Sequence, residues 1–179
     1  LAFSTIANND KVGVIFFSDK VEKFIPAQKG KTHVLHIIRE LLSFEPSSSG
    51  TDIAQALQYF ANAQKRHCTA FLISDFIGSG TMYKPLLIAS NRHELNAIQI
   101  YDRREAELPN VGLVKFHDAE TGGDLWVDTS IAAVRNEYAK TWNDNQNELQ
   151  QLFTRTGVNN ISIRTDEDYV KALMHLFRC

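Results

Sequence analysis

The chain has 179 residues, of which 44% are hydrophobic and 22% are charged, and both values are ordinary for one globular domain. Its net charge of −2 leaves no basic stripe for a phosphate backbone, which argues against a nucleic-acid partner. No apolar run is long enough to cross a bilayer, and Cys68 and Cys179 match neither a metal spacing nor a disulfide framework. We therefore expect a single domain over residues 1–179, located in the cytoplasm.

The N-terminal region predicts the end of a helix followed by two strands. Apolar side chains recur at helical spacing over residues 2–6, so we expect the domain to begin upstream and to be N-terminally incomplete here. The nearly continuous apolar run 12–17 predicts a strand covered on both faces. Residues 21–25 predict a second, antiparallel strand, because the connection is hairpin-short, and Pro26 and Gly30 should close it.

Two amphipathic helices are predicted next, over residues 32–43 and 53–61. The first should bury one face that carries Val34, Leu35, Ile38, Leu41 and Leu42. A serine-rich loop with one proline separates the two helices, and either Ser49 or Thr51 could cap the second.

The middle of the chain alternates between strand and helix patterns. Residues 71–73 predict a strand that ends in Ser74-Asp75, residues 83–90 a short helix with a proline in its first turn, and residues 95–101 another strand. The mixed charges that follow, over residues 102–109, are typical of solvated surface, although a partner could also contact them.

The C-terminal third predicts a hairpin, a long helix, a strand and a last helix. The hairpin spans residues 111–127, and the long helix covers residues 131–153 and ends near Gly157. A strand over residues 158–163 precedes a helix whose start at Thr165 has capping-box spacing. The stripe expected to be buried on that helix consists of Tyr169, Val170, Leu173, Met174 and Phe177.

This alternation predicts an α/β fold whose parallel sheet is covered by helices on both faces. Ligands bind such sheets at the carboxyl ends of the strands, where Asp75 follows a predicted strand. Thr51 lies in a glycine-led loop before a helix, and a hydroxyl together with a carboxylate suits a hard cation such as Mg²⁺. The plainer alternatives are that Thr51 caps the helix and that Asp75 closes a turn.

Other patterns indicate chemistry less well. His33 and His36 lie three residues apart on one helix, but no third ligand follows at a recognisable spacing, which favours surface histidines over a zinc site. Gly78-Ser79-Gly80 lacks the lysine and the third glycine of phosphate-binding loops. The chain has no Gly-x-Ser-x-Gly elbow for a catalytic serine.

Short motifs along nearly the whole chain resemble the DUF58 family. They are Leu1-Ala2-Phe3-Ser4, Asn9-Asp10-Lys11-Val12-Gly13, Phe17-Ser18-Asp19, Gly50-Thr51-Asp52-Ile53, Ile73-Ser74-Asp75-Phe76, Asp118-Ala119-Glu120-Thr121-Gly122 and Arg164-Thr165-Asp166-Glu167-Asp168-Tyr169. Each motif is short, and it is their combination and order that make the resemblance specific.

The resemblance implies a three-layer, Rossmann-like sheet of the von Willebrand factor A type, mostly parallel, with an antiparallel edge strand and an extra hairpin. It implies Thr51 and Asp75 as ligands of a metal-ion-dependent adhesion site. The DxSxS loop of such sites is absent here, since Asp-Thr-Ser at 128–130 has the wrong spacing. The first central strand is therefore expected to be missing. Mg²⁺ is implied for the full-length protein, and this segment should not hold the ion tightly.

The function implied is a non-enzymatic protein-interaction module that binds a partner through a divalent cation. The resemblance suggests a MoxR-class AAA+ ATPase as the partner, in the assembly or maturation of other proteins. The alternative is a metal-dependent hydrolase that uses the same sheet edge, for which the sequence offers no general base near Asp75. We also expect some self-association, because a missing central strand would leave sheet edges exposed.

Overall fold

The computed structural model describes residues 6–77, 81–117 and 122–176, and they form a mixed α/β protein. The strands are β1 Val12–Phe17, β2 Val21–Gln28, β3 Thr69–Ser74, β4 Glu94–Tyr101, β5 Leu113–His117, β6 Asp124–Asp128 and β7 Asn159–Arg164. The helices are α1 Lys31–Ser43, α2 Ile53–Ala63, α3 Tyr83–Arg92, α4 Arg103–Ala106, α5 Ala132–Thr156 and α6 Tyr169–Leu176. The glycine-rich loop 78–80, the motif at 118–121, Phe177 and Cys179 lie outside the described residues.

The described strands form three separate sheets, and the chain divides into two compact units. The first unit contains residues 6–63 with 81 and 82, and the second contains residues 64–77, 83–117 and 122–176. Antiparallel β1–β2 belongs to the first unit, while parallel β3-β4-β7 and the β5–β6 hairpin belong to the second. The parallel sheet, the antiparallel pair and the hairpin are therefore confirmed, and a single domain over residues 1–179 stays a prediction.

Strand β2 continues past Pro26, so the prediction that proline closes the strand was wrong. Val12 pairs with Gln28 and Val14 with Ile25, which leaves Gly13 opposite two residues of β2. This is a β-bulge, where proline is tolerated because its missing N–H is not needed for the ladder. A side chain on Gly13 would not fit, since a Cβ there would lie 2.8 Å from the Ile25 carbonyl oxygen.

The core of the first unit is built by Phe16, Ile25 and Ile37, and Phe16 stacks on Phe44 with ring centroids 4.8 Å apart. Phe16 is the only residue of β1 that is buried, and the others are half-buried or exposed, so the prediction of a strand covered on both faces was wrong. The predicted stripe of α1 is also partly wrong. Val34 is buried, whereas Leu35, Leu41 and Leu42 are exposed, Leu42 to 83%.

The second unit is organised around β4, which pairs in parallel with β3 on one side and with β7 on the other. Leu95 to Gln99 are all buried in this strand, as expected for the middle of a parallel sheet. Leu86 and Ala89 of α3 are completely buried, and Pro85 is tolerated in the first turn as predicted.

The hairpin β5–β6 and helix α5 follow the sequence prediction closely. Gly157 ends α5 in the left-handed conformation, with φ of 66°. The base of the hairpin is fixed by Thr129, whose fully buried hydroxyl donates to the Gly112 carbonyl at 2.7 Å and accepts from the Val111 N–H at 2.9 Å. Thr129 therefore holds the two ends of the hairpin together at its base.

Helix α6 departs from the prediction in its start and in its buried face. The Thr165 hydroxyl donates to Asp102 at 3.2 Å instead of capping the helix, and Asp168 accepts from the Val170 N–H at 3.0 Å. Tyr169, Val170 and Met174 are exposed, so among the described residues the expected stripe is not a core face.

Within the described part of the chain, no helix is both long enough and apolar enough to span a membrane.

Candidate functional site

The loop before α2 presents Thr51 without using it as a helix cap. Asp52 takes that position, because its carboxylate accepts from the Gln55 N–H at 2.8 Å. The suggestion that Ser49 or Thr51 caps α2 was therefore wrong, and the cap is instead a carboxylate, whose negative charge is favourable at a helix start. No described residue forms a hydrogen bond with the Thr51 hydroxyl, and Thr51 is partly exposed.

Glu22 holds this loop in place. It is the extra residue of a second bulge in β2, since Phe16 pairs with Lys23 and Phe17 with Val21. Its carboxylate accepts hydrogen bonds from three donor groups. They are the Ser47 N–H at 3.0 Å, the Ser47 hydroxyl at 2.7 Å and the Ser18 hydroxyl at 2.7 Å. A bulge re-aims a side chain, and here it directs a carboxylate at a loop 25 residues away.

The other end of the same loop is joined to the turn after β1. The Asp52 N–H donates to the Ser18 carbonyl at 2.8 Å, and a Cβ on Gly50 would lie 3.4 Å from Asp19 Cβ. Thr51 is therefore placed between two fixed points, at Ser47 and at Asp52.

We predict that acid releases this loop through Glu22. The hydrogen bonds from Ser47 and then Ser18 lower the pKa of Glu22 from its ordinary value of 4.5. A lowered folded-state pKa stabilises the loop above the unfolded value, and that contribution disappears as the pH falls through the folded value. The protection of the Ser47 amide, measured by NMR as its exchange rate relative to the intrinsic rate at each pH, should therefore fall at a pH below 4.5.

The matched variant is Glu22→Gln, which keeps the shape of the side chain but removes its charge. It should lower the protection of the Ser47 amide already at pH 7, and the further loss of protection in acid should disappear. An unchanged acid response in Glu22→Gln would show that another group controls the loop.

The turn after β3 carries Asp75, whose carboxylate accepts from the Ile77 N–H at 3.1 Å. One carboxylate oxygen of Asp75 therefore closes the turn, as the plainer alternative predicted. The Asp75 side chain is exposed. Phe76 is left-handed, with φ of 60°, which is strained for a bulky residue. Its buried ring packs edge-on against Phe153 at a centroid distance of 5.3 Å, which holds the strained turn.

Gln99 ties this turn to the centre of the sheet. It is buried in β4, donates to the Asp75 carbonyl at 3.2 Å and accepts from the Ser162 hydroxyl at 2.8 Å. Sequence reasoning did not single out Gln99, although a glutamine between two isoleucines of a predicted strand was a usable signal. No comparable signal pointed to Glu22, because its contact depends on a bulge.

The charged segment after β4 contains the short helix α4. Asp102 and Glu105 form a capping box around its first turn, and the Tyr138 hydroxyl donates to the Arg104 carbonyl at 3.1 Å. Burial raises the pKa of Tyr138, with Glu105 adding to the effect, so the phenol stays protonated and keeps donating. The segment is therefore an ordered part of the second unit.

Two of the histidines, His33 and His93, and the described cysteine form structural contacts. His33 bonds the Val12 carbonyl at 2.8 Å. Cys68 Sγ lies 3.6 Å from His93 Nδ1, and burial raises the pKa of the Cys68 thiol while it lowers the pKa of His93. Both groups are therefore held neutral, which does not favour a reactive thiolate.

The two predicted ligands lie in different units, Thr51 in the first and Asp75 in the second. That Thr51 and Asp75 contribute to one metal site stays a prediction. Among the described residues, no group of three histidine, cysteine, aspartate or glutamate side chains converges as a metal site would require.

Comparison with known proteins agrees with an α/β domain of this kind. The family model described as "Protein of unknown function DUF58" matches residues 1–148, and the chain belongs to this family.

Its relatives include mycobacterial proteins. The uncharacterized protein Rv1480 of Mycobacterium tuberculosis is 27% identical over 174 residues, which cover 95% of this chain and 54% of the relative. The uncharacterized protein MAV169 of Mycobacterium avium is 28% identical over 158 residues, which cover 86% of this chain and 92% of the relative. The chain thus spans about half the length of the first of these relatives.

Two solved structures share the fold. An aerotolerance-related membrane protein from Bacteroides fragilis aligns with a TM-score of 0.59 and 17% identity, covering 99% of this chain and 86% of that one. The conserved hypothetical protein BatB from Bacteroides thetaiotaomicron aligns with a TM-score of 0.56 and 17% identity, covering 98% and 82%. At this identity the likeness concerns the fold alone.

Proposed function

We propose that the chain is a non-enzymatic protein-interaction module of the von Willebrand factor A type, which binds its partner through a divalent cation. The observation that carries the proposal is the Thr51 loop. Asp52 caps α2, Glu22 fixes the loop, and the Thr51 hydroxyl is left without a described partner. A loop fixed on both sides of an unused oxygen ligand is preorganised for binding.

Asp75 supports the same proposal from the second unit. One of its carboxylate oxygens closes the turn, while the turn itself is fixed by Gln99 and by the buried ring of Phe76. In the proposal, Thr51 and Asp75 contribute to one Mg²⁺ site, and a carboxylate of the partner completes the coordination.

The sheet topology also fits a von Willebrand factor A-type fold. A fold of that type combines a mostly parallel sheet with an antiparallel strand, and the proposal assigns β3-β4-β7 and the pair β1–β2 to these two parts. In the proposal, the partner is a MoxR-class AAA+ ATPase, and the module acts in the assembly or maturation of other proteins. A fold does not identify a binding partner, so this partner is tested by a binding experiment.

The test measures binding of the chain to a MoxR-class ATPase in the presence of Mg²⁺ and in the presence of EDTA. Thr51→Ala and Asp75→Asn should each weaken Mg²⁺-dependent binding by about tenfold or more, which corresponds to roughly 1.4 kcal/mol. Asn keeps the acceptor that closes the turn, so Asp75→Asn removes the charge and little else.

The matched control is Ser49→Ala, which removes an exposed hydroxyl from the same loop and should leave binding unchanged. Binding that is equal in Mg²⁺ and EDTA would contradict the cation-bridged mode. Phosphatase or esterase turnover that is lost in Asp75→Asn would favour the hydrolase instead.

A further inference from the structure

The β5–β6 hairpin exposes a tryptophan between two carboxylates. Residues directly opposite in an antiparallel pair share a face, so the pairs Leu113–Asp128, Lys115–Trp126 and His117–Asp124 define one side of the hairpin, which we call the outer face. The 62% exposure of Trp126 is unusual for a large apolar side chain, and Leu113 beside it is 64% exposed. The outer face therefore presents an apolar centre with a charged rim.

The rim of the outer face carries a residual negative charge. Lys115 binds Asp124 at 2.6 Å, and His117 contacts the same carboxylate at 2.9 Å, so Asp124 is already paired. Asp128 is held by the N–H and hydroxyl of Ser130 through one oxygen, and no described cation contacts it. The hydrogen bonds from Ser130 lower the pKa of Asp128, which keeps the carboxylate ionised at neutral pH.

The opposite face of the hairpin differs in composition. It carries the apolar pairs Val114–Val127 and Phe116–Leu125, and three of these side chains are half-buried. Within the described strands β5 and β6, charge is thus confined to the outer face, where an indole ring lies between Asp124 and Asp128 at the two-residue spacing of a strand. A cation can stack on the indole while it pairs with Asp128, and tryptophan is the strongest aromatic partner for such contacts.

We propose that the outer face docks an arginine-bearing segment of a protein partner, with a guanidinium stacked on Trp126 and paired with Asp128. The guanidinium suits the site because it is planar, stacks on aromatic rings and binds carboxylates through two N–H groups. The apolar side chain of Leu113 then receives an aliphatic residue next to the arginine. This docking needs neither a divalent metal ion nor Thr51, so it stands apart from the proposed metal-bridged function.

The probe is an acetylated hexapeptide of alternating arginine and leucine, with a glutamate–leucine hexapeptide as the charge-reversed control. Binding is followed through the indole N–H signals of Trp126 and Trp142 in NMR spectra of the full chain, in EDTA. The arginine peptide should shift the Trp126 signal and leave the Trp142 signal in place. Trp126→Ala and Asp128→Asn should each weaken binding by about tenfold, which is the scale of a cation–aromatic contact of roughly 1–2 kcal/mol.

Leu125→Ala is the matched control, because Leu125 is 65% exposed on the same strand but belongs to the opposite face. It should change the affinity by less than about twofold, and circular dichroism should show all three variants folded. Equal binding of the glutamate peptide, or an equal loss in Leu125→Ala, would overturn the proposal. Absence of binding at millimolar arginine peptide, or self-association that Trp126→Ala abolishes, would overturn it as well.

Discussion

Replacement of Phe153 by alanine is expected to lower the free energy of unfolding by about 3–5 kcal/mol. Phe153 is almost fully buried in the second unit, and its ring supports Phe76. The substitution leaves a cavity and also removes the ring contact that holds Phe76 in its left-handed conformation. Amide exchange at Phe76 and Ile77 should therefore rise more than exchange in α3, because these residues form the turn of Asp75. Urea unfolding and hydrogen exchange measure the two effects.

The control for this prediction is Tyr169→Ala, which removes an aromatic ring of similar size from an exposed position on α6. Its cost should stay below about 0.5 kcal/mol, as for most surface substitutions. A loss from Phe153→Ala no larger than that of Tyr169→Ala, or unchanged exchange at Phe76, would show that the ring contact does not hold the turn.

Replacement of Gly13 by alanine is expected to cost about 1–3 kcal/mol, or more if the bulge cannot adjust. The new Cβ would lie 2.8 Å from both the Ile25 carbonyl oxygen and the Ala27 nitrogen, and both contacts involve backbone atoms. Since backbone cannot swing away as a flexible side chain can, β1 and β2 must separate around the bulge. Thermal and urea unfolding should show the loss, and amide exchange should increase along β1.

Gly50→Ala is the control, because its Cβ would make one ordinary contact of 3.4 Å with Asp19 Cβ. This variant should stay within about 0.5 kcal/mol of the parent chain. It also probes the Thr51 loop, which should tolerate the change without loss of structure. Equal costs for the two glycine variants would show that space at the bulge is not the cause.

Local patterns in the sequence were sufficient for most of the elements. Helical spacing predicted α2 and α5 to within a few residues, and Gly157 predicted the end of α5 because a left-handed residue after a helix favours glycine. The alternation of strand and helix predicted the parallel arrangement of β3, β4 and β7. Short motifs in a fixed order predicted the DUF58 family, which the family model confirms.

Long-range contacts decided what local patterns could not. Apolar spacing predicted buried faces on α1 and α6, but spacing gives only the side of a helix and not what covers it, and Leu42 and Tyr169 are exposed. Pro26 suggested the end of β2, and only the bulge opposite Gly13 explains why the strand continues.

The candidate site shows the same division. The sequence by itself determined that Thr51 precedes a helix and that Asp75 follows a strand, because both positions depend on neighbours in the chain. Only the tertiary structure decided that Glu22 fixes the Thr51 loop and that Gln99 fixes the Asp75 turn. The physical reason is that a hydrogen bond between residues about 25 positions apart depends on how the backbone folds back, which no local pattern encodes.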